Sequence, residues 1–500
     1  MKSFYKRSDT FIFIALFIIA FGVRLFCIIY FKFDGLYGQD AYAYAEYSKL
    51  FYNSIINFKV PPNFYWPIGF YFFSTIFSLV TAGKTALSSL LVSLNAGALT
   101  AGFMFLLCYE VIRRYYSDGK AKKYSFAAGL IICFAGITTK QSVVIMSDSL
   151  GLLFITISAL YLIKYLNEQN RRYLVFCFSA FSLGLITRYA NGLFIPVIIP
   201  VLFSVYRNSK DKKQISFDIL LGTIIGFIIF LPQLLYIIKF GIPYFQYKGE
   251  APTWSASWSP LNIFRSDFAT FDGTQHYRFI NGIFYSSPVF HPLFLSLFGL
   301  SFLFGFFKSF KKMRGVVLIF LLSWIAVYVI YLSGNPFQSI RYTLSFFPPL
   351  IILSVFGVAE INIKQIYKSL FIIIGLLLIT GYSFYDFSKF AERKSKEMEC
   401  VEWLQKNVQP GSNVFTFEIT GAVNYYTGLN AKEFFNYHYS DIKQLTDTTK
   451  EKTYMLLPVE RINKQWKGLP IEKSFDSAKT NLIPVSIGKV NDYEGFLIEK

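Results

Sequence analysis

The feature that most constrains this 500-residue chain is repetition: apolar runs of membrane-crossing length recur almost throughout it, parted by short polar loops. A helix needs about 20 mostly apolar residues to cross a bilayer. Runs of that kind occupy 10–31, 86–109, 125–144, 149–166, 173–188, 190–206, 217–238, 289–307, 315–333, 341–359 and 368–386. The expected fold class is therefore a polytopic α-helical membrane protein with about eleven transmembrane helices, or twelve to thirteen if shorter stretches also cross. Composition agrees. Apolar residues make up 54% of the chain and charged residues only 16%, where soluble domains carry about 25% charged residues. The first run, Phe11 to Phe31, is too long for a typical cleaved leader and lacks a small-residue cleavage pattern, so it reads as an uncleaved first span.

Charge then orients the spans. The formal net charge is +19, yet Asp386 to Lys500 holds 16 Lys and Arg against 16 Asp and Glu, so the whole excess precedes the tail. It gathers in short loops: Lys6-Arg7, Arg113 to Lys123, Arg171-Arg172, Arg207 to Lys213, Lys308 to Arg314 and Lys364 to Lys368. Short cationic loops mark the cytoplasmic side of a membrane protein. A nucleic-acid-binding protein would collect such charge on one soluble face, so no nucleic-acid partner is expected. With the N-terminus inside, eleven spans leave three regions outside: 32–85, 239–288 and the tail 387–500. The apolar stretch 66–82 lies within the first and reads as a juxtamembrane or re-entrant segment. Crossing there would flip the basic loop 110–124 outward. The expected division is a membrane domain over 1–386 and an extracytoplasmic soluble domain over 387–500, in the plasma membrane.

The tail has the pattern of a small mixed α/β domain. Glu392 to Asn407 has helical spacing, Pro410-Gly411 is a turn, and Asn413–Glu418, Thr453–Val459, Ile483–Val490 and Tyr493–Ile498 read as strands. Five cysteines form no framework. Four sit in apolar runs and no CxxC occurs, so disulfides are not expected.

In such a chain, ionisable residues near the membrane but away from the basic face are candidates for function. Asp40, just beyond the first span, reads either as a helix cap or as a carboxylate at a cavity mouth. Tyr44 and Tyr47 would share its helical face. Asp148, in Ser147-Asp148-Ser149, has the same two readings at the same membrane side. Outer cations complete the set: Arg188, Arg341 beside Tyr342, and Arg265, His276 and Arg278 in the large loop with Trp254 and Trp258. Arginine suits phosphate because its planar fork makes paired, charge-assisted bonds; snorkelling toward headgroups is the alternative. Three histidines without a metal-binding spacing argue against zinc. Gly83-Lys84-Thr85 is only a fragment of a nucleotide-binding loop, and no GxSxG elbow occurs.

The order of these motifs resembles the multi-spanning GT-C glycosyltransferases that use polyprenyl-phosphate sugars, among them the protein O-mannosyltransferases of glycosyltransferase family 39 and the bacterial lipid A glycosyltransferases. Gly38-Gln39-Asp40-Ala41-Tyr42 is similar to their acidic outer-loop motif, with Gln39 where many members carry a second acid. Pro61-Pro62-Asn63-Phe64-Tyr65-Trp66-Pro67 resembles their Pro-aromatic segment. Met146-Ser147-Asp148 stands where they have a further acid, and Arg341-Tyr342-Thr343-Leu344 with Pro348-Pro349 resembles their late Arg-Tyr pattern. The resemblance implies a hexosyl- or pentosyltransferase that takes sugar from a polyprenyl-phosphate donor in the outer leaflet. It passes the sugar to an envelope lipid, glycan or protein, by inverting displacement. Asp40 is then the expected base, or orienter of the acceptor nucleophile, and Asp148 is the second expected catalytic residue, positioning the sugar, the acceptor or a divalent ion. Arg341 and Arg188, with Arg265 and Arg278 in reserve, are expected at the donor phosphate. Tyr42, Tyr44, Tyr342, His276, Trp254 and Trp258 are expected at the substrates. The resemblance implies no particular cofactor and is compatible with a divalent metal, which would fall to Asp40 and Asp148. The rival readings are an envelope glycan polymerase or ligase with a lipid-linked donor, and a secondary transporter or lipid-linked sugar flippase.

Overall fold

The computed structural model describes residues 7–242, 255–270, 273–313 and 315–498. Trp254, and with it Tyr244 and Tyr247 of the large outer loop, lie outside the described residues.

The chain opens with helices α1 (Arg7–Tyr30), α2 (Gly38–Ile56), α3 (Gly69–Val80), α4 (Thr85–Ile112), α5 (Asp118–Phe134) and α6 (Gly136–Val143). It continues with α7 (Asp148–Glu168), α8 (Arg171–Thr187), α9 (Ile195–Asn208) and α10 (Lys212–Phe240). A hairpin of β1 (Asp267–Thr270) and β2 (Gly273–His276) precedes α11 (Asn281–Ser286), α12 (Phe298–Lys312), α13 (Val316–Ser333), α14 (Phe347–Glu360) and the long α15 (Gln365–Asn407).

Every expected span is at least partly helical, but the count of eleven is not reached. Eight helical segments among the described residues are long and apolar enough to cross a membrane, and a ninth if α5 and α6, bent by 51°, are taken together. Two expected spans are shorter. Helix α8 has 17 residues. Helix α12 has 15 and begins nine residues after the expected start at 289. Pro292 bars its own residue from the interior of a helix, and Ser296 has a φ of +48°, a left-handed turn that no α-helix continues through. Helix α3, the ambiguous stretch, has 12 residues. That is ~18 Å of helix against the ~30 Å of a hydrocarbon core.

Burial sorts these helices into centre and rim. The apolar windows of α4, α7 and 340–360 are 78%, 83% and 89% buried within the protein, whereas those of α1, α10 and α15 are each 22% buried. Side chains such as Phe11, Ile18, Ile29, Phe227 and Leu377 are correspondingly exposed on the rim, where lipid would meet them. Central helices approach closely through small residues. A Cβ on Gly305 of α12 would lie 2.0 Å from the Leu353 carbonyl oxygen, and one on Gly357 of α14 would lie 1.8 Å from that of Ser301.

The α5–α6 bend has an identifiable cause. The carbonyls of Ile132 and Cys133, left without helical donors, accept from Arg24, which is fully buried in α1; Thr138 Oγ1 also donates to Ile132 at 2.7 Å. Fixed charges satisfy broken helix ends in this way. The bend sets the direction in which the chain reaches Asp148.

The tail is a five-stranded sheet in the order β4–β3–β5–β7–β6, made of β3 (Asn413–Thr416), β4 (Asn430–Glu433), β5 (Thr453–Leu457), β6 (Val485–Val490) and β7 (Tyr493–Ile498). β3 runs parallel to β4 and β5, and β7 runs antiparallel to β5 and β6. Helices α16 (Thr420–Tyr426), α17 (Tyr439–Thr448), α18 (Val459–Gln465) and α19 (Pro470–Asn481) make the crossovers. The four expected strands are present; β4, an edge strand reading Asn-Ala-Lys-Glu, carries no apolar alternation to announce it. Helix α15 runs unbroken through residue 386, so the membrane domain and the tail share one helix. All five cysteines are free and buried.

Candidate active site

The basic loops and the tail lie at opposite ends of the bundle. At the basic end the loops are tied by pairs such as Lys122–Asp9, Arg113–Glu168 and Lys312–Glu360. The tail end brings four ionisable residues together from four parts of the sequence. Asp40 sits in the first turn of α2 and Asp148 opens α7. Arg188 lies in the extended break between α8 and the 3₁₀ turn that leads into α9. Arg341 lies in the 3₁₀ segment Ile340–Phe346 that leads into α14.

Neither carboxylate is a cap. The N-cap positions belong to Tyr37 and Ser147, and neither makes a side-chain cap bond. Both acids turn to arginine instead. Arg341 Nη1 and Nη2 donate to Asp40 Oδ2 at 3.1 and 3.2 Å. Its Nε stands 3.7 Å from Asp148 Oδ1 and has no hydrogen-bond partner among the described residues. Arg188 Nη1 bonds the same Asp148 oxygen. The order is thus Asp40, Arg341, Asp148, Arg188, a row of alternating charge whose formal sum is zero. The two acids are held differently. The Asp148 side chain is 2% exposed and the Asp40 side chain 42%. Asp148 is a fixed counter-ion between two guanidiniums; Asp40 is open to whatever enters.

Aromatic residues frame the row. The Tyr342 ring lies under both guanidiniums, at 5.9 Å from Arg188 and 5.5 Å from Arg341, within cation–π range. Tyr44 is buried, bonds Ser147 Oγ at 2.8 Å beside Asp148, and stacks on Trp66 with centroids 4.4 Å apart. Trp66 comes from the Pro-aromatic segment, which Tyr236 and Gln233 of α10 fasten through Pro62 O and Ile68 N. Near the Arg341 segment, a largely apolar cavity of ≈ 760 Å³ opens among α11, α12, α13 and α14; Tyr285, Phe302, Val329, Phe346 and Leu350 line it.

The other expected site residues stand elsewhere. Tyr42 faces the tail, accepting from Lys394 Nζ at 2.6 Å. Trp258 packs on α13, its Nε1 donating to Tyr331 O at 2.9 Å. Arg265 is exposed beyond a 3₁₀ turn, and Arg278 lies against the Phe279 ring at 5.2 Å. His276 is exposed and meets Asp267 at 2.7 Å; that bond holds the Asp267 carboxyl below its usual range. Its hairpin touches the tail: a Cβ on Gly273 would lie 2.5 Å from Gln465 O. No group of three His, Cys, Asp or Glu side chains placed to hold a metal occurs among the described residues. With each carboxylate already facing guanidinium, the donor set does not fit a cation. Sequence reasoning passed over Gln39 and Glu433, which meet at 2.6 Å beside Asp40. Gln39 drew attention only as a departure from an acidic pair, and Glu433 lies in the unannounced strand β4.

Residues 59–236 match the family model described as dolichyl-phosphate-mannose-protein mannosyltransferase, just over a third of the chain. No curated protein matches the chain in sequence. Among solved structures, ArnT from Cupriavidus metallidurans in the apo state is similar over 98% of both chains, at 12% identity and a TM-score of 0.63. The same protein bound to undecaprenyl phosphate is similar over 99% of both chains, at 12% identity and a TM-score of 0.61. The oligosaccharyltransferase AglB from Archaeoglobus fulgidus, in complex with an inhibitory peptide and a dolichol-phosphate, is similar at 12% identity and a TM-score of 0.58; the likeness covers 91% of this chain and 70% of AglB. The chain accordingly shares the fold of these structures: a polytopic helical membrane domain carrying a C-terminal mixed α/β domain.

Proposed function

We propose that this protein transfers a sugar from a polyprenyl-phosphate-linked donor to an acceptor of the cell envelope, with inversion at the anomeric carbon. The observation that carries the reading is the row Asp40–Arg341–Asp148–Arg188 at one end of the bundle. The partial match to the mannosyltransferase model and the fold shared with two proteins solved with polyprenyl phosphates support it. The basic loops at the far end put the row and the tail outside the cytoplasm by the positive-inside rule.

The chemistry follows from the charges. The row is neutral, so a donor phosphate arrives as excess negative charge. Arg341 is the guanidinium whose Nε makes no hydrogen bond among the described residues and whose partner Asp40 is exposed. It exchanges the Asp40 carboxylate for phosphate oxygen, while Arg188 stays paired with Asp148. That exchange frees Asp40. Its carboxylate takes the proton of the acceptor hydroxyl as that oxygen bonds to the anomeric carbon, and the bond from that carbon to phosphate oxygen breaks with its electron pair. The departing polyprenyl phosphate carries the developing charge, which Arg341 and Arg188 stabilise from fixed positions. Asp148 keeps both guanidiniums oriented. Tyr44, Trp66 and Tyr342 offer faces to the sugar. The apolar cavity of ≈ 760 Å³ beside the Arg341 segment suits the first isoprene units.

The test is turnover. Purified protein in liposomes receives radiolabelled polyprenyl-phosphate sugars and envelope extract, and label leaving the donor is followed. Transfer of a single sugar to an acceptor supports the reading. Transfer of assembled glycan supports the ligase alternative, and donor crossing the bilayer intact supports the flippase.

A further inference from the structure

Helix α2 has two working faces. Asp40, Tyr44 and Tyr47, at spacings of four and three, look into the membrane domain. Gln39 and Tyr42, three apart, look into the tail. Gln39 uses both ends of its amide there. Its Oε1 accepts from Gly421 N at 3.1 Å and its Nε2 donates to Glu433 Oε2 at 2.6 Å. Glu433 is held in turn, accepting from Thr420 Oγ1 at 2.7 Å and from Glu418 N at 3.1 and 3.2 Å. Gly421 is required at this junction, because a Cβ would lie 2.9 Å from Tyr42 Cβ and 3.1 Å from Gln39 Oε1. A second set of contacts flanks the first. Lys394 of α15 donates to Tyr42 at 2.6 Å and to Tyr426 at 3.2 Å, and Tyr426 bonds Asp34 just before α2.

All of these bonds grip residues 34–42, the segment that carries Asp40. We propose that the tail is a working part of the active site, and that Gln39, clamped by Glu433 and Gly421, is a positioning residue that holds Asp40 opposite Arg341. The proposal rests on the reading of Asp40 as the base. A side chain adjacent to the base need shift it little to matter: a misplacement of ~1 Å costs about 10²-fold in rate.

The experiment is a charge exchange across the clamp, run at about pH 8.5 so that both positions carry carboxylates when acidic. Gln39→Glu sets two carboxylates against each other; the expected result is a fall of about 10²-fold in transfer at saturating substrates, with the donor KM unchanged. The double variant Gln39→Glu with Glu433→Gln restores a donor–acceptor pair of opposite direction, and transfer recovers most of the loss. Melting temperature is recorded for each variant, and Asp40→Asn runs alongside. Wild-type transfer in Gln39→Glu, or loss that the double variant does not recover, overturns the clamp. Unimpaired transfer in Asp40→Asn overturns the reading of the site itself, whatever the clamp variants do.

Discussion

Asp40 and Asp148 face the same guanidinium but make different predictions. Asp148 is the only carboxylate within reach of Arg188 among the described residues, and it is enclosed. Removing one partner of a buried charge pair leaves the other uncompensated, at about 3–5 kcal/mol. Asp148→Ala should therefore lower the melting temperature of the purified protein sharply, whereas Asp40→Asn, at an open side chain, should leave it near the wild-type value. All four members of the row were legible in the sequence, because ionisable residues are scarce near apolar spans and these stood away from the basic loops. Tyr42 was legible as important but not in its direction. Two positions past Asp40 on a helix is the far side, which is why it meets Lys394 instead of the row. Gln39 stood out only as the neutral residue in place of a second acid; its role was not legible, since a neutral amide near a membrane surface is ordinary until its partners are known.

At the level of elements, apolar runs located the spans but not their length. A left-handed turn at Ser296 delays α12, and no count of apolar residues registers that. The α12–α14 contact depends on glycine. Gly357→Leu places side-chain atoms where the Ser301 carbonyl lies, and relief requires the helices to part. Overpacking of this kind costs about 1–3 kcal/mol; thermal unfolding in detergent should show it, together with reduced transfer, since α14 follows directly from the Arg341 segment. Strand β4 makes a separate prediction through Glu433. Burial pushes its carboxyl up from 4.5 to about 7. The folded state therefore holds a proton that the unfolded state releases at lower pH. The resulting stability is fully present below about pH 4.5 and is lost as pH rises through about 7. Glu418, paired with Arg461, is the neighbouring carboxylate that adds to the upward push. Melting temperature should decline from about pH 5 to about pH 8 in the wild type, and Glu433→Gln should flatten that slope. An unchanged slope would remove Glu433 from the account.

The whole molecule is polarised. Basic loops occupy one end; the charge row, the Pro-aromatic segment, the β1–β2 hairpin and the tail occupy the other. The sequence announced that polarity through its loop charges and the neutral tail. It did not announce that the tail would close onto α2, because the contacts join residues some 350 to 390 positions apart and no local pattern encodes such pairs. In the proposed mechanism Asp40 both competes with the donor phosphate for Arg341 and accepts the proton of the acceptor. One variant separates these roles. The most direct measurement is transfer by Asp40→Asn at saturating substrates, together with its affinity for polyprenyl phosphate, both against wild type. The mechanism predicts transfer reduced by about 10²- to 10⁴-fold in a protein that melts normally, with polyprenyl phosphate bound at least as tightly, since Arg341 no longer has a carboxylate to give up. Transfer at the wild-type rate, or binding weakened along with it, would contradict the assignment of Asp40 as the base released by the arriving phosphate.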